Sequence, residues 1–287
     1  MDKKYSILIN TCDAYCDAWG PFFRILEKTW PSAKNYNIYL NTESKQYNDS
    51  FFNVTVLNCI DGLTKISWGE RLLNALSRID SEYILFMLED FFFEDKVDWM
   101  VIDRCIAYME ENERIASICF TSPMECSDSD YCNKMYNSDF PDFVIRKQRA
   151  YYKYDASPSL WRKSKLIKCT FKKDTPWEWE FFGNMRTWCT KDVFYGRIST
   201  APRVFDYDII HGGAIHRGKW VGYKMRELKL KYSIDFDMSE REIIEDWMKE
   251  PSCTMPLPRS RRLGSIIKNR VQAVISVMYS IFIGRFK

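Results

Sequence analysis

The sequence predicts an α/β fold with a mixed, mainly parallel central sheet, and three observations carry that prediction. Strand-like runs alternate with helically spaced segments through the first 120 residues, the start of a βαβ wind. The run Tyr83 to Leu88 is apolar at every position, as a strand buried on both faces requires. The two carboxylates after it, Glu89 and Asp90, fall where a parallel sheet opens its ligand crevice, outside the carboxyl ends of the strands. Burying such a pair without counter-charge is expensive, so the position invites a cation. The plainer reading is an acidic strand end or a helix N-cap.

The elements follow in order. Tyr5 to Asn10 is β-branched and aliphatic and feeds a loop at the same crevice edge. Asp17 to Lys28 has helical spacing and is ended by Pro31. Residues 36–41 and 54–57 read as strands, and Trp68 to Ile79 as an amphipathic helix with Leu72, Leu73, Leu76 and Ile79 on one face. After the central strand come a helix over Val97 to Glu111 and a strand over Ile115 to Phe120. Thr121 to Arg149 is polar and broken, an irregular insertion at the crevice rim. A helix is predicted to start at Pro176, where Glu178 and Glu180 alternate with Trp177 and Trp179. Residues two apart on a helix point to different sides, so only one of the glutamates can face the crevice. Both histidines, His211 and His216, fall in the glycine-punctuated stretch 209–220. Pro251 to Pro258 reads as a linker. The expected division is therefore a domain over 1–250, with halves 1–120 and 121–250, and a tail over 251–287.

Composition narrows the classes. With 46% hydrophobic and 28% charged residues, the 287-residue chain is neither disordered nor a multi-span membrane protein. Arg259 to Lys287 holds seven basic and no acidic residues, so a chain of net charge +3 leaves its body at about −4. A mildly acidic body argues against nucleic-acid binding. The apolar run Val271 to Ile283 is too short to span a bilayer, and with its basic ends it fits an interfacial helix; the alternative is a helix packed on the body. Met1-Asp2-Lys3-Lys4 leads directly into a strand, with no secretory signal visible there, and ten scattered cysteines fit reduced thiols. We therefore expect a cytoplasmic protein, peripheral to the inner face of the cell membrane.

An ordered set of motifs carries a resemblance: Cys12-Asp13-Ala14-Tyr15-Cys16-Asp17-Ala18-Trp19-Gly20-Pro21, Trp30-Pro31, Ser67-Trp68-Gly69-Glu70-Arg71, Leu88-Glu89-Asp90-Phe91-Phe92, Leu160-Trp161-Arg162, Pro176-Trp177-Glu178-Trp179-Glu180 and His216-Arg217-Gly218-Lys219-Trp220. Over about residues 5 to 222 the chain resembles bacterial GT-A-type glycosyltransferases of capsular and other surface polysaccharide clusters. The resemblance implies a Rossmann-like GT-A domain with a nucleotide-sugar donor, UDP-linked, and a saccharide or lipid-linked saccharide acceptor. Glu89-Asp90 would stand for the family's Asp-x-Asp motif, although Leu88 occupies the first acid's place. That departure leaves one well-placed carboxylate, Asp90, for a divalent metal, Mn²⁺ or Mg²⁺, with His216, or His211 as second choice, as a late ligand of the same metal. Thr11, Asp13, Trp68 and Arg71 would line the donor site with Glu89 and Asp90, while Arg217 and Lys219 add positive charge for the diphosphate. Glu180, or Glu178 as second choice, would be the base that takes the acceptor's proton, with inversion at the sugar. Both could instead be helix-start acids. Trp161, Trp177 and Trp179 would offer flat faces to the acceptor, core packing being the default for at least one of them.

Overall fold

A computed structural model describes residues 4–59, 66–122, 135–150, 152–208, 213–237, 239–245 and 259–285. The strands are β1 (Tyr5–Asn10), β2 (Asn37–Asn41), β3 (Val54–Val56), β4 (Tyr83–Met87), β5 (Ile115–Cys119), β6 (Met135–Asn137), β7 (Phe143–Arg146), β8 (Ser159–Arg162), β9 (Val193–Arg197), β10 (Ile215–His216), β11 (Lys219–Val221) and β12 (Ile243–Ile244). The helices are α1 (Cys16–Thr29), α2 (Trp68–Ser77), α3 (Trp99–Glu111), α4 (Lys163–Cys169), α5 (Pro176–Arg186), α6 (Gly222–Tyr232) and α7 (Arg259–Arg285).

The first nine strands form one sheet in the order β3-β2-β1-β4-β8-β5-β9-β7-β6. Only β7 and β8 run against the rest, so the sheet is mixed and mainly parallel, as the sequence predicts. β4 lies beside β1 and every one of its residues is buried. Apolar cores cover both faces. Trp19, Phe22, Phe23 and Phe92 belong to one, Leu72, Leu76, Trp161 and Trp179 to the other.

The sequence reading of the first 120 residues holds to within two residues at most element ends. The second half differs. Part of the stretch expected to be irregular, residues 135–146, forms β6 and β7, which pair antiparallel and extend the sheet beyond β9. Strands of three and four residues give too few alternations for periodicity to register. β8 is equally hidden, because its four residues, Ser159-Leu160-Trp161-Arg162, are too few for a period to register and carry a polar residue on each face although all are buried between β4 and β5. Since β8 inserts between strands of the first half, the two expected halves share one sheet. The predicted linker 251–258 and His211 lie outside the described residues.

α5 starts at Pro176 as predicted. Thr175 accepts from the Glu178 amide while Glu178 accepts from the Thr175 amide, a reciprocal capping box. α7 docks against this region: Tyr279 donates to the Lys168 carbonyl at 2.7 Å, the Cys189 amide to Ser280 at 2.7 Å, and Lys268 to Glu178 at 2.9 Å. Gly284 permits the close approach, since a Cβ there would stand 2.2 Å from the Cys189 carbonyl oxygen.

Candidate functional site

The carboxyl ends of β1, β2, β4 and β5 share one edge of the sheet, and the antiparallel β8 contributes its N-terminal end to the same edge. Glu89 and Asp90 emerge there directly after β4. Glu89 is 5% exposed. Its carboxyl is pushed well above the usual range by burial and by Asp90, with its own amide, Thr11 and Arg71 pulling back. Burial also raises Asp90, against its own amide and Arg241. Burial and the neighbouring carboxylate both disfavour the charged forms, so ionising the pair calls for positive charge nearby. Among the described residues, the buried Oδ1 of Asp90 has no hydrogen-bond partner.

Three segments build the wall around the pair. Thr11, after β1, accepts from Trp19 Nε1 at 2.8 Å, which fixes the loop between β1 and α1. Arg71, on the buried face of α2, ion-pairs with Glu43 at 3.3 Å. The third segment arrives from far along the chain: Ala214 donates to the Asp90 carbonyl at 3.1 Å and Gly213 sits against that carbonyl. Gly213 has φ +101°, and a Cβ there would lie 2.4 Å from the Asp90 oxygen, so the contact requires glycine. This contact brings the β10–β11 hairpin, with His216, Arg217 and Lys219, up to the acidic edge.

Glu180 and Glu178 diverge as the helix argument requires. Glu180 accepts from the Ala156 amide at 2.9 Å, next to Asp155, in the loop that enters β8 at the crevice edge. Burial pushes its carboxyl up to about 7, the Ala156 bond opposing and Asp155 adding to the shift. A carboxyl titrating near neutrality is suited to accepting a proton. Glu178 faces α7 instead. Its burial is outweighed by Lys268 and the Thr175 amide, which hold it below its ordinary value. It is a structural acid, and the second-choice assignment as base is corrected.

Other assignments are corrected as well. Trp161 and Trp179 are fully buried, with ring centroids 6.2 Å apart, so neither offers a face to an acceptor. Trp68 packs on Trp179 at 5.4 Å. Asp13 accepts from the Ser44 hydroxyl at 2.6 Å and from the amides of Glu43, Ser44 and Lys45, and these bonds outweigh its partial burial to keep it ionised. Its acceptors are spent tying the loop after β1 to the loop after β2. Lys219 pairs with Glu242 at 3.0 Å, and Arg217 is exposed at the hairpin tip with φ +51°. Among the described residues no three His, Cys, Asp or Glu side chains converge as a metal cage, so His216 does not complete one with Glu89 and Asp90.

Sequence reasoning missed Arg241, Tyr15 and Glu43. The Arg241 guanidinium lies 4.2 Å from the Tyr15 ring centroid and grips Asp17, while its charge acts on Asp90. No local motif marks a partner from so distant a segment. A cleft of about 560 Å³, lined by Gly20, Pro21, Arg24 and Tyr232 among others, opens along α1 and holds none of these groups.

No family model matches the chain. A search of curated proteins likewise finds no match. Among solved structures, residues 1–349 of S. aureus TarS align with 80% of this chain and 70% of that one, at 12% identity and TM-score 0.44. The same fragment solved with UDP aligns over 83% and 67%, at 12% identity and TM-score 0.45. A further S. aureus TarS structure aligns over 83% of this chain and 41% of that one, at 12% identity and TM-score 0.44.

Proposed function

We propose that this chain is a bacterial GT-A-type glycosyltransferase that moves a sugar from a nucleotide diphosphate donor, UDP-linked, to a lipid-linked saccharide in surface polysaccharide synthesis. The observation that carries the reading is the under-compensated Glu89–Asp90 pair at the carboxyl end of the central strand, with the neutral-range Glu180 at the same sheet edge. The two carboxylates and the partnerless Asp90 Oδ1 fit a hard divalent cation with oxygen ligands. Asp90 would hold it, with Glu89 behind, and donor phosphates and water would complete the shell. Such a cation supplies charge stabilisation to the departing diphosphate.

The chain's own residues do the rest. Arg71 adds a fixed positive charge at the donor wall, and Thr11 steadies Glu89. Glu180 takes the acceptor hydroxyl's proton as the new bond forms, and attack from the side opposite the leaving group inverts the anomeric centre. In this reading the basic α7 brings the enzyme to the cytoplasmic face of the membrane, where a lipid-linked acceptor resides.

Calorimetric titration of nucleotide diphosphates and nucleotide sugars, with and without Mn²⁺ and with Asp90→Asn alongside, tests the reading. Selective, metal-dependent binding lost in the variant supports it. No binding across the panel would overturn it in favour of a catalytically silent glycan-binding scaffold, which the resemblance alone does not separate from an enzyme.

A further inference from the structure

The helix α7 is oriented against the usual rule for a surface helix. Its small polar residues face the protein: Ser276 and Ser280 are fully buried and Gly284 abuts Cys189. Ile283 and Tyr279 also pack inward, while six large apolar residues face outward. Ile267, Val271, Val274, Ile275, Met278 and Phe282 are all between 52% and 62% exposed. At helical spacing they occupy one stripe of about 100°. No described helix is long and apolar enough to cross a membrane, so the stripe is not a spanning segment.

The stripe continues onto α5. Lys268 bonds to Glu178, which sets this part of α7 beside the start of α5, where Trp177 is 80% exposed, the most of any described tryptophan, and Phe181 one turn later is 44% exposed. Basic residues border this surface. Lys268 is 69% exposed and bonded to Glu178, Lys172 is 74% exposed beside Glu70, and Arg270 and Arg285 of α7 are exposed as well. From Arg259 to Lys287 the chain carries no acid at all. An apolar face this large, edged by cations, matches the layered chemistry of an anionic bilayer surface.

We infer that Trp177 and Phe181 of α5 and the outward stripe of α7 form a single face that seats on an anionic lipid bilayer. The inference extends the membrane role that the proposed reading gives to the tail, and it reassigns Trp177 from acceptor stacking to lipid contact. It also sets a geometric consequence. Glu180 lies one position from Phe181 on the same helix, about 100° round its axis, and accepts from the Ala156 amide of the body. A bilayer held by α5 would thus lie within the thickness of one helix of the residue proposed to accept the proton.

The test uses the full chain and reads no transfer, so its failure leaves the transferase reading standing. Sedimentation with vesicles of phosphatidylcholine plus phosphatidylglycerol is compared with phosphatidylcholine alone, for the parent, Val274→Asp/Met278→Asp and Trp177→Ala/Phe181→Ala. All these side chains are exposed, and circular dichroism melts verify folding. We expect binding only with the anionic lipid, its loss in the first variant, and a rise of about tenfold in the lipid needed for half-binding in the second. Unchanged binding by Trp177→Ala/Phe181→Ala would overturn the composite face. Equal binding to neutral vesicles would overturn the anionic surface. A parent that sediments as a dimer and ignores vesicles would assign the face to a second copy of the chain.

Discussion

Arg241 grips both carboxylate oxygens of Asp17, Nε at 2.6 Å and Nη2 at 2.8 Å, across 224 residues of chain. Both side chains are buried, and the guanidinium also donates to the Gly218 carbonyl at 3.0 Å. The pair therefore latches the segment carrying β12 and the β10–β11 hairpin onto the start of α1, beside the acidic pair. Arg241→Ala leaves Asp17 buried and uncompensated, and we expect a loss of about 3 kcal/mol in urea unfolding. Arg241→Lys keeps the charge but not the two-point grip and should fall between. An unchanged midpoint in the alanine variant would show that the latch carries no stability.

Gly213 and Gly218 both have positive φ, +101° and +80°, but they differ in surroundings. A methyl at Gly213 runs into the Asp90 carbonyl, whereas at Gly218 it meets only Arg241 Nη1 at 3.9 Å. Gly213→Ala is expected to destabilise by about 2 kcal/mol or more and to weaken nucleotide binding by displacing Asp90. Gly218→Ala should cost about 1 kcal/mol and leave binding intact. Equal effects at the two positions would mean that the contact with Asp90 is not what demands glycine.

How much of this was legible in the sequence depended on whether a signal was local. The central strand announced itself, because burial on both faces leaves no polar residue from Tyr83 to Leu88, and the acidic pair stood out against it. The helix start at Pro176 was equally clear, since Thr175, Pro176 and Glu178 each satisfy a local rule. Long-range partners were not legible. Nothing near Asp13 indicates that Ser44 and the neighbouring amides consume its carboxylate, and nothing near Glu178 points to Lys268. Trp161 and Trp179 were misread because an aromatic suited to stacking on a sugar is also suited to a core. β8 between two parallel strands decides in favour of the core.

The raised carboxyls of Glu89 and Asp90 give nucleotide binding a pH dependence with a definite sign. Burial and mutual repulsion favour the protonated forms, and a proton competes with a cation for the same oxygens. Mn²⁺-dependent nucleotide binding should therefore weaken as pH falls from about 8 to about 6, a range in which ordinary carboxylates do not titrate. Isothermal titration in buffers of matched ionic strength measures this. A flat profile would mean that the pair stays ionised, held by a positive charge other than the metal.

Glu180 and Glu178 separate in both activity and stability. Glu180→Gln keeps an oxygen for the Ala156 amide but cannot accept a proton, so transfer should be lost while donor binding persists. Its folded-state carboxyl is raised from 4.5 to about 7, so the native state holds this proton more tightly than the unfolded chain. Parent stability should then decline as pH rises from about 4.5 through about 7, and above that window Glu180→Gln should be the more stable by roughly 2 kcal/mol. Glu178→Gln disturbs the capping box and the Lys268 pair, so it should cost about 1 kcal/mol at neutral pH and spare transfer. Because the Glu178 carboxyl is lowered, that cost should vanish on acidification, as the parent loses the same interaction. Thermal melts at about pH 4, 6 and 8 alongside initial transfer rates distinguish the two residues. Full activity in Glu180→Gln with none in Glu178→Gln would reverse the assignment.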